Sequence, residues 1–210
     1  MREELQTIYT ERLMLPGDDP SVADFLSRYN EESWRHYHTL THIEQMTHFL
    51  LEREEYIADM PTVLLATLGH DVVYDPKLGG GQNEEQSAAL TLEAFADKQP
   101  AERMRKASAY ILATISHQWN GSDGDLGYFL DADMSILAAE SEVFDAYDAA
   151  IGQEYSYVDP DLFRKKRGLF LAEWSDEAKV IFAVPEIRDE LEHKAKANLA
   201  RTLLIYETKL

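Results

Sequence analysis

The run Leu64-Leu65-Ala66-Thr67-Leu68-Gly69 is apolar and ends in the adjacent pair His70-Asp71, followed by Val72-Val73-Tyr74-Asp75. It reads as a buried helix carrying two ionisable groups at its end. Taking such groups out of water is costly unless a partner compensates. A divalent cation compensates both, because it takes a neutral imidazole and a carboxylate as ligands. Donors of the same kinds stand elsewhere in the chain. His38 and His42 lie in Tyr37-His38-Thr39-Leu40-Thr41-His42-Ile43, and Asp131 and Asp133 lie in Phe129-Leu130-Asp131-Ala132-Asp133-Met134. The chain has no cysteine, which excludes disulfides, thiolate zinc sites and cysteine nucleophiles. Any metal site must therefore use nitrogen and oxygen donors.

Each motif also has a plain structural reading. His38 and His42, four apart, share one helix face whether or not they bind anything. A His-Asp dipeptide occurs by chance, and Asp131 and Asp133 can simply charge the start of a helix. Their order along the chain carries more. The marks Tyr37-His38-x-x-x-His42-Ile43, His70-Asp71-Val72-Val73-Tyr74-Asp75, Asn83-Glu84-x-x-Ser87-Ala88, Ala113-Thr114-x-x-His117 and Asp131-Ala132-Asp133 occur in that sequence. Together they resemble the HD superfamily of metal-dependent phosphohydrolases over most of the chain, and within it a small bacterial subgroup.

The resemblance implies an all-α helical bundle of the HD-domain type. It also implies a site for one or two divalent ions (Mn, Fe, Co, Ni, Mg or Zn) with His42, His70, Asp71 and Asp133 as ligands. Asp133 is preferred because the superfamily has Ala before this Asp, as Ala132 stands here. Residues two apart on a helix point about 200° from each other, so Asp131 is left to cap or to support the ligands from behind. The same resemblance makes His38 and His117 pocket residues or second-metal ligands. It would place a bulky apolar residue where Gly69 stands, so Gly69 is expected to widen the pocket or loosen the helix.

Two His and two Asp leave open coordination positions, suited to a water whose pKa the metal lowers and to a phosphate oxygen whose charge it neutralises. Hydrolysis then needs a carboxylate to orient the water or carry its proton. Asp75 lies one turn past Asp71 and reaches the same cavity if the helix continues that far. Glu84 is the other candidate, although it can equally complement a helix dipole. His117 closes an apolar helix, where the dipole favours an imidazolium with no function involved. By the resemblance it instead binds phosphate, protonates a leaving group or holds a second metal. Substrate contacts fall to His38, to Lys77 beside the loop Gly79-Gly80-Gly81, and to Asn83. Tyr74, Trp119 and Tyr128 can stack a base or fill a core. The basic cluster Arg164-Lys165-Lys166-Arg167 reads as a solvated or acid-paired helix face and ranks below Lys77. His36, His48 and His193 read as surface.

The elements that must position these residues are helices. Apolar positions at helical spacing predict helices over residues 4–15, from Val22 through Tyr29, and from about His42 onward with Ile43, Met46, Phe49, Leu50 and Ile57 inward. Pro61 suits the first turn of the helix that carries His70-Asp71. Asn83, with Gln86 three residues on, suits an N-cap for a helix to about Ala96. Pro100 opens another, with Met104, Ala107, Ile111 and Ile115 inward and an end near His117. Further helices fit 126–139, 141–151, 160–174 and 187–206. With strand signals nearly absent and no linker to divide the chain, the expected architecture is one all-α domain over residues 1–210.

The bulk numbers agree with a globular chain: 210 residues, 45% hydrophobic and 28% charged. A net charge of −19, from 20 basic and 39 acidic residues, argues against a nucleic-acid polymer as partner. No run is long enough to cross a bilayer and the start lacks a secretory signal, so no membrane partner and a cytoplasmic location are expected. A homodimer is left open. The expected activity is metal-dependent hydrolysis of a phosphomonoester or phosphodiester of a small molecule, with a nucleotide as the first class to consider. The alternatives are a non-catalytic metal- or nucleotide-binding domain and an oxygen-dependent di-iron enzyme, the latter requiring His38 and His117 as extra ligands.

Overall fold

A computed structural model describes residues 2–208, which form ten α-helices and no strand among the described residues. By contacts the chain divides into two compact units, residues 1–132 and 133–210.

The first unit is built around α4, Met60–Gly69, in which nine of ten residues are buried. A helix that is apolar on every side has to be enclosed by others, and here α1 (Arg2–Arg12), α2 (Ser21–Glu31), α3 (Leu40–Leu51), α5 (Gln82–Phe95) and α6 (Ala101–Ala113) pack against it. Its start is fixed by composition. Asp59 accepts the Thr62 backbone N–H, Pro61 occupies the first turn, and Asp125 accepts the Ala58 and Asp59 N–H groups. The expected inner face of α2 is buried in full: Val22, Phe25, Leu26 and Tyr29. Helix α7 runs Gly124–Met134.

In the second unit, a 3-10 turn at Ser135–Ala138 leads into α8 (Ser141–Glu154), α9 (Pro160–Ser175) and α10 (Pro185–Glu207). Helix α10 packs on α9 and on the 3-10 turn. Two of its buried polar residues tie down backbone. Asn198 Nδ2 donates to the carbonyls of Leu137 and Ala139, and Lys196 Nζ to those of Trp174, Asp176 and Lys179.

Two local expectations need correction. Asn83 is not the N-cap of α5. Gly81 takes that position with φ +84°, and a Cβ there would come within 2.8 Å of Ile115 Cδ1. Glycine is favoured at this point both by backbone conformation and by space. Ile115 itself is not core: α6 stops at Ala113, and Ile115, just beyond, lies against Gly81 and is 47% exposed.

Candidate functional site

The helices around α4 bring three distant segments together. His42 is on α3, His70 is the C-cap of α4, and Asp133 is in the last turn of α7. Each offers one ligand atom, and these atoms all lie within 4.8 Å of one another, the two histidines buried and Asp133 half-buried. The imidazoles face each other through Nε2, 3.2 Å apart. Asp71, the next residue after His70, has Oδ2 3.0 Å from His70 Nε2 and 3.9 Å from His42 Nε2.

The imidazole orientations follow from what holds their other nitrogens. His70 Nδ1 is 2.9 Å from the Thr67 carbonyl, which can only accept, so Nδ1 carries the hydrogen. In the neutral ring His70 Nε2 is then a lone pair turned toward His42. His42 Nδ1 is 3.1 Å from the Tyr37 hydroxyl. Two ring nitrogens and a carboxylate turned on one point favour a proton or a metal ion there. The His–His spacing suits the ion: two metal–nitrogen bonds of about 2.1 Å meeting at roughly 100° span such a distance. The donor set fits a divalent cation, and His42, His70 and Asp133 can hold one.

The segment after His70 leaves helical geometry and is fixed by side chains from three directions. Arg35 is fully buried at its side chain. Its Nη1 donates to the carbonyls of Asp71 (2.9 Å) and His38 (3.0 Å), its Nη2 to Val72 (3.3 Å), and its Nε to Glu32 (2.6 Å). The guanidinium also lies over the rings of Tyr29 and Tyr74. Trp34 Nε1 donates to the Tyr74 carbonyl. From the other side, α5 presents Asn83 and Ser87 four apart on one face. Asn83 makes both amide hydrogen bonds to the backbone of Asp75, and Ser87 Oγ meets both the N–H and the carbonyl of Val73. One helical turn on, Thr91 explains Gly69. A Cβ at position 69 would collide with Thr91 Oγ1 and sit 3.1 Å from Thr91 Cγ2 and 3.2 Å from Ile111 Cδ1. The space beside Gly69 is therefore filled by packed side chains rather than by a pocket, and the glycine allows close approach of α5 and α6.

Helix α4 ends at Gly69, so Asp75 is not one helical turn past Asp71. Its Oδ1 accepts the Lys77 N–H in a tight turn. Asn83, expected to touch substrate, spends its amide on the backbone of Asp75. Lys77 is exposed in the loop. Glu84 is half-buried in the first turn of α5. His117 lies past the end of α6 in left-handed conformation, φ +50°, with its N–H on the Ala113 carbonyl. His38 stacks on Tyr74 at 4.2 Å between ring centres and stands edge-on to Tyr37. Asp131 is buried in α7. Trp119 Nε1 donates to the Asp123 carbonyl, and Tyr128 stacks on Tyr56. His36, His48 and His193 are exposed.

Arg35 is the residue that reading the sequence misses. The available signal is a lone arginine in an aromatic-rich segment, Trp34-Arg35-His36-Tyr37, ahead of the first histidine ligand. Tyr29, beneath Arg35, donates to the Leu68 carbonyl. Burial first, then the charge of Asp71, hold its phenol well above its ordinary pKa, so the ring stays neutral beside the site. No helix of the described residues is long and apolar enough to cross a membrane. Comparison of the chain with protein-family models, with curated proteins and with solved structures finds no match.

Proposed function

We propose that this protein is a metal-dependent phosphohydrolase of the HD type, acting on a small phosphate ester, with nucleotides the first substrate class to test. The observation that carries the reading is the convergence of His42, His70 and Asp133 on one point, with the Asp71 carboxylate 3.0 Å from His70 Nε2. A divalent ion bound there would act as a Lewis acid, lowering the pKa of water and neutralising phosphate charge. The chain's own part is orientation. Thr67 fixes the His70 tautomer, Tyr37 engages His42, and Arg35 holds the backbone of Asp71 so that its carboxylate faces the imidazoles. With Asp75 closing its own turn, Glu84 and His117 are the groups left to carry protons.

The engagement of Asp75 and Asn83 in local structure favours a second reading, a domain that binds metal and nucleotide without turnover. One experiment separates the two. Metal content is measured on the purified protein and on Asp71→Ala, and both are assayed with Mn²⁺, Fe²⁺, Co²⁺, Ni²⁺ and Mg²⁺ against nucleotides and sugar phosphates. The phosphohydrolase reading expects metal-dependent release of phosphate or of a phosphoester product, and its loss in Asp71→Ala. Metal uptake and nucleotide binding with no hydrolysis supports the second reading. No metal uptake by the wild type removes both.

A further inference from the structure

The loop between α6 and α7 carries the one Asn-Gly pair in the chain, Asn120-Gly121. Asparagine is a chemically labile residue, and before glycine it can lose its side-chain amide without an enzyme. The backbone nitrogen of the next residue attacks Asn Cγ, and glycine, with no Cβ, leaves that approach uncrowded.

The structure of this loop favours the step. Asn120, Gly121 and Ser122 are all exposed and lie outside any helix. Gly121 has φ +80°, a Cβ there would meet nothing within 4 Å, and its N–H enters no backbone hydrogen bond among the described residues. Asn120 Oδ1 accepts two hydrogen bonds, from the Ser122 N–H at 3.0 Å and from the Ser122 hydroxyl at 2.6 Å. Attack on Cγ moves negative charge onto that oxygen, and donors already aimed at it lower the barrier. The other asparagines are placed differently. Asn30, Asn83 and Asn198 sit on helices before Glu31, Glu84 and Leu199, and the amides of Asn83 and Asn198 already donate to carbonyls.

We propose that Asn120 is a site of spontaneous deamidation, with Ser122 polarising the carbonyl that is attacked. The Gly121 amide gives up its proton and its nitrogen bonds to Asn120 Cγ. The Cγ–Nδ2 bond breaks, and ammonia leaves carrying that proton. The cyclic imide then takes up one water. Breaking the new Cγ–N bond gives aspartate; breaking the backbone C–N bond gives isoaspartate, in which the main chain runs through Cγ. Isoaspartate lengthens the backbone between Trp119 and Asp123 by one methylene. Trp119 Nε1 donates to the Asp123 carbonyl across this stretch, so the product loosens the bond that closes the loop ahead of α7. The site shares no residue with the metal-ligand group and does not rest on the phosphohydrolase reading.

The test ages the full chain at neutral and at mildly alkaline pH and follows each asparagine-containing peptide by mass spectrometry, with isoaspartate read by enzymatic methylation. The expected result is exchange of the amide NH₂ for OH at Asn120 alone, faster at alkaline pH because attack begins from a deprotonated amide. Ser122→Ala should slow it about fivefold, as loss of one net hydrogen bond implies, and Asn120→Gln should show none over the same period. The Trp119 indole N–H resonance should shift as isoaspartate accumulates and hold still in Asn120→Gln. An Asn120 that converts no faster than Asn30 overturns the proposal. So does an unchanged rate in Ser122→Ala, or an indole signal that stays in place while isoaspartate builds up.

Discussion

Gly69 in the first unit and Gly152 in the second both face another helix, yet the two regions use a missing side chain in opposite ways. At Gly69 the neighbouring helices close in until Thr91 and Ile111 occupy the space a Cβ would need. At Gly152 the nearest atom is an ordinary 3.7 Å away, and the groove between α8, α9 and α10 stays half-open beside it. Their buried polar groups differ similarly. Around His70-Asp71, Arg35, Asn83 and Ser87 all terminate on the backbone of one short non-helical segment. In the second unit Lys196 and Asn198 brace loops, while Thr202 Oγ1 is left without a bond. A site that must hold donor atoms within ångströms of one another needs its backbone fixed from several sides.

The largest effects are expected on removing one arginine from each unit. Arg35→Leu takes the donors from three carbonyls and leaves Glu32 without its buried partner, a loss of about 3–5 kcal/mol in urea unfolding. Metal affinity should fall with it, and Arg35→Lys should recover little, because one ammonium cannot reproduce the guanidinium's spread of donors. Arg167→Leu, at a guanidinium whose Nη2 has no partner, should destabilise less and leave metal affinity unchanged. Equal losses of metal affinity in both variants would show that Arg35 acts through general stability alone.

The glycines come next. Gly69→Ala should cost about 1–3 kcal/mol through overpacking, and Thr91→Ala in the same chain should return much of it, a coupling visible in a double-mutant cycle. Gly152→Ala should be neutral or stabilise by up to about 1 kcal/mol, since Ala is the better helix former. If both substitutions behave alike, the close approach at Gly69 is not what fixes that residue.

The smallest expected effect is one of pH. Tyr9 is fully buried, with its hydroxyl 2.7 Å from Thr47 Oγ1, and burial pushes its pKa above the ordinary 10.0. A raised folded-state value means this contribution to stability is complete below pH 10.0 and is lost as pH climbs from there toward the folded value. Tyr29 adds a contribution of the same sign. Stability measured from neutral to strongly alkaline pH should therefore decline above the ordinary tyrosine value, and Tyr9→Phe should make the decline shallower.

Much of this was legible in the chain, because helical periodicity and capping chemistry are local. The inner face of α2, Pro61 at the start of α4 and the spans of α8 to α10 follow from residues within a few turns of one another. His42, His70, Asp71 and Asp133 are named as ligands by the resemblance of their motifs to the HD superfamily rather than by periodicity. What failed was the behaviour of chain just beyond helix ends. Placing Asp75 beside the ligands requires α4 to continue, and placing Ile115 inward requires the same of α6, but both helices stop short. The type of Asn83 and its spacing to Gln86 suggest a cap, yet Gly81 takes the cap and the amide of Asn83 goes to Asp75. A helix stops where its neighbours offer its backbone other partners, and those partners lie eight to forty residues away.

Sequence alone is enough to show that the chain is helical, that it lacks thiol chemistry, and that its imidazoles, seven in all, are few. Periodicity, composition and residue type settle those points without reference to distant contacts. Tertiary structure alone decided that two of those imidazoles face each other 3.2 Å apart, that Arg35 rather than a longer helix fixes Asp71, and that Gly69 is required by a threonine on another helix. Those outcomes depend on how closely separate helices approach. That distance is set by the shapes of side chains far apart in sequence, which no local pattern encodes.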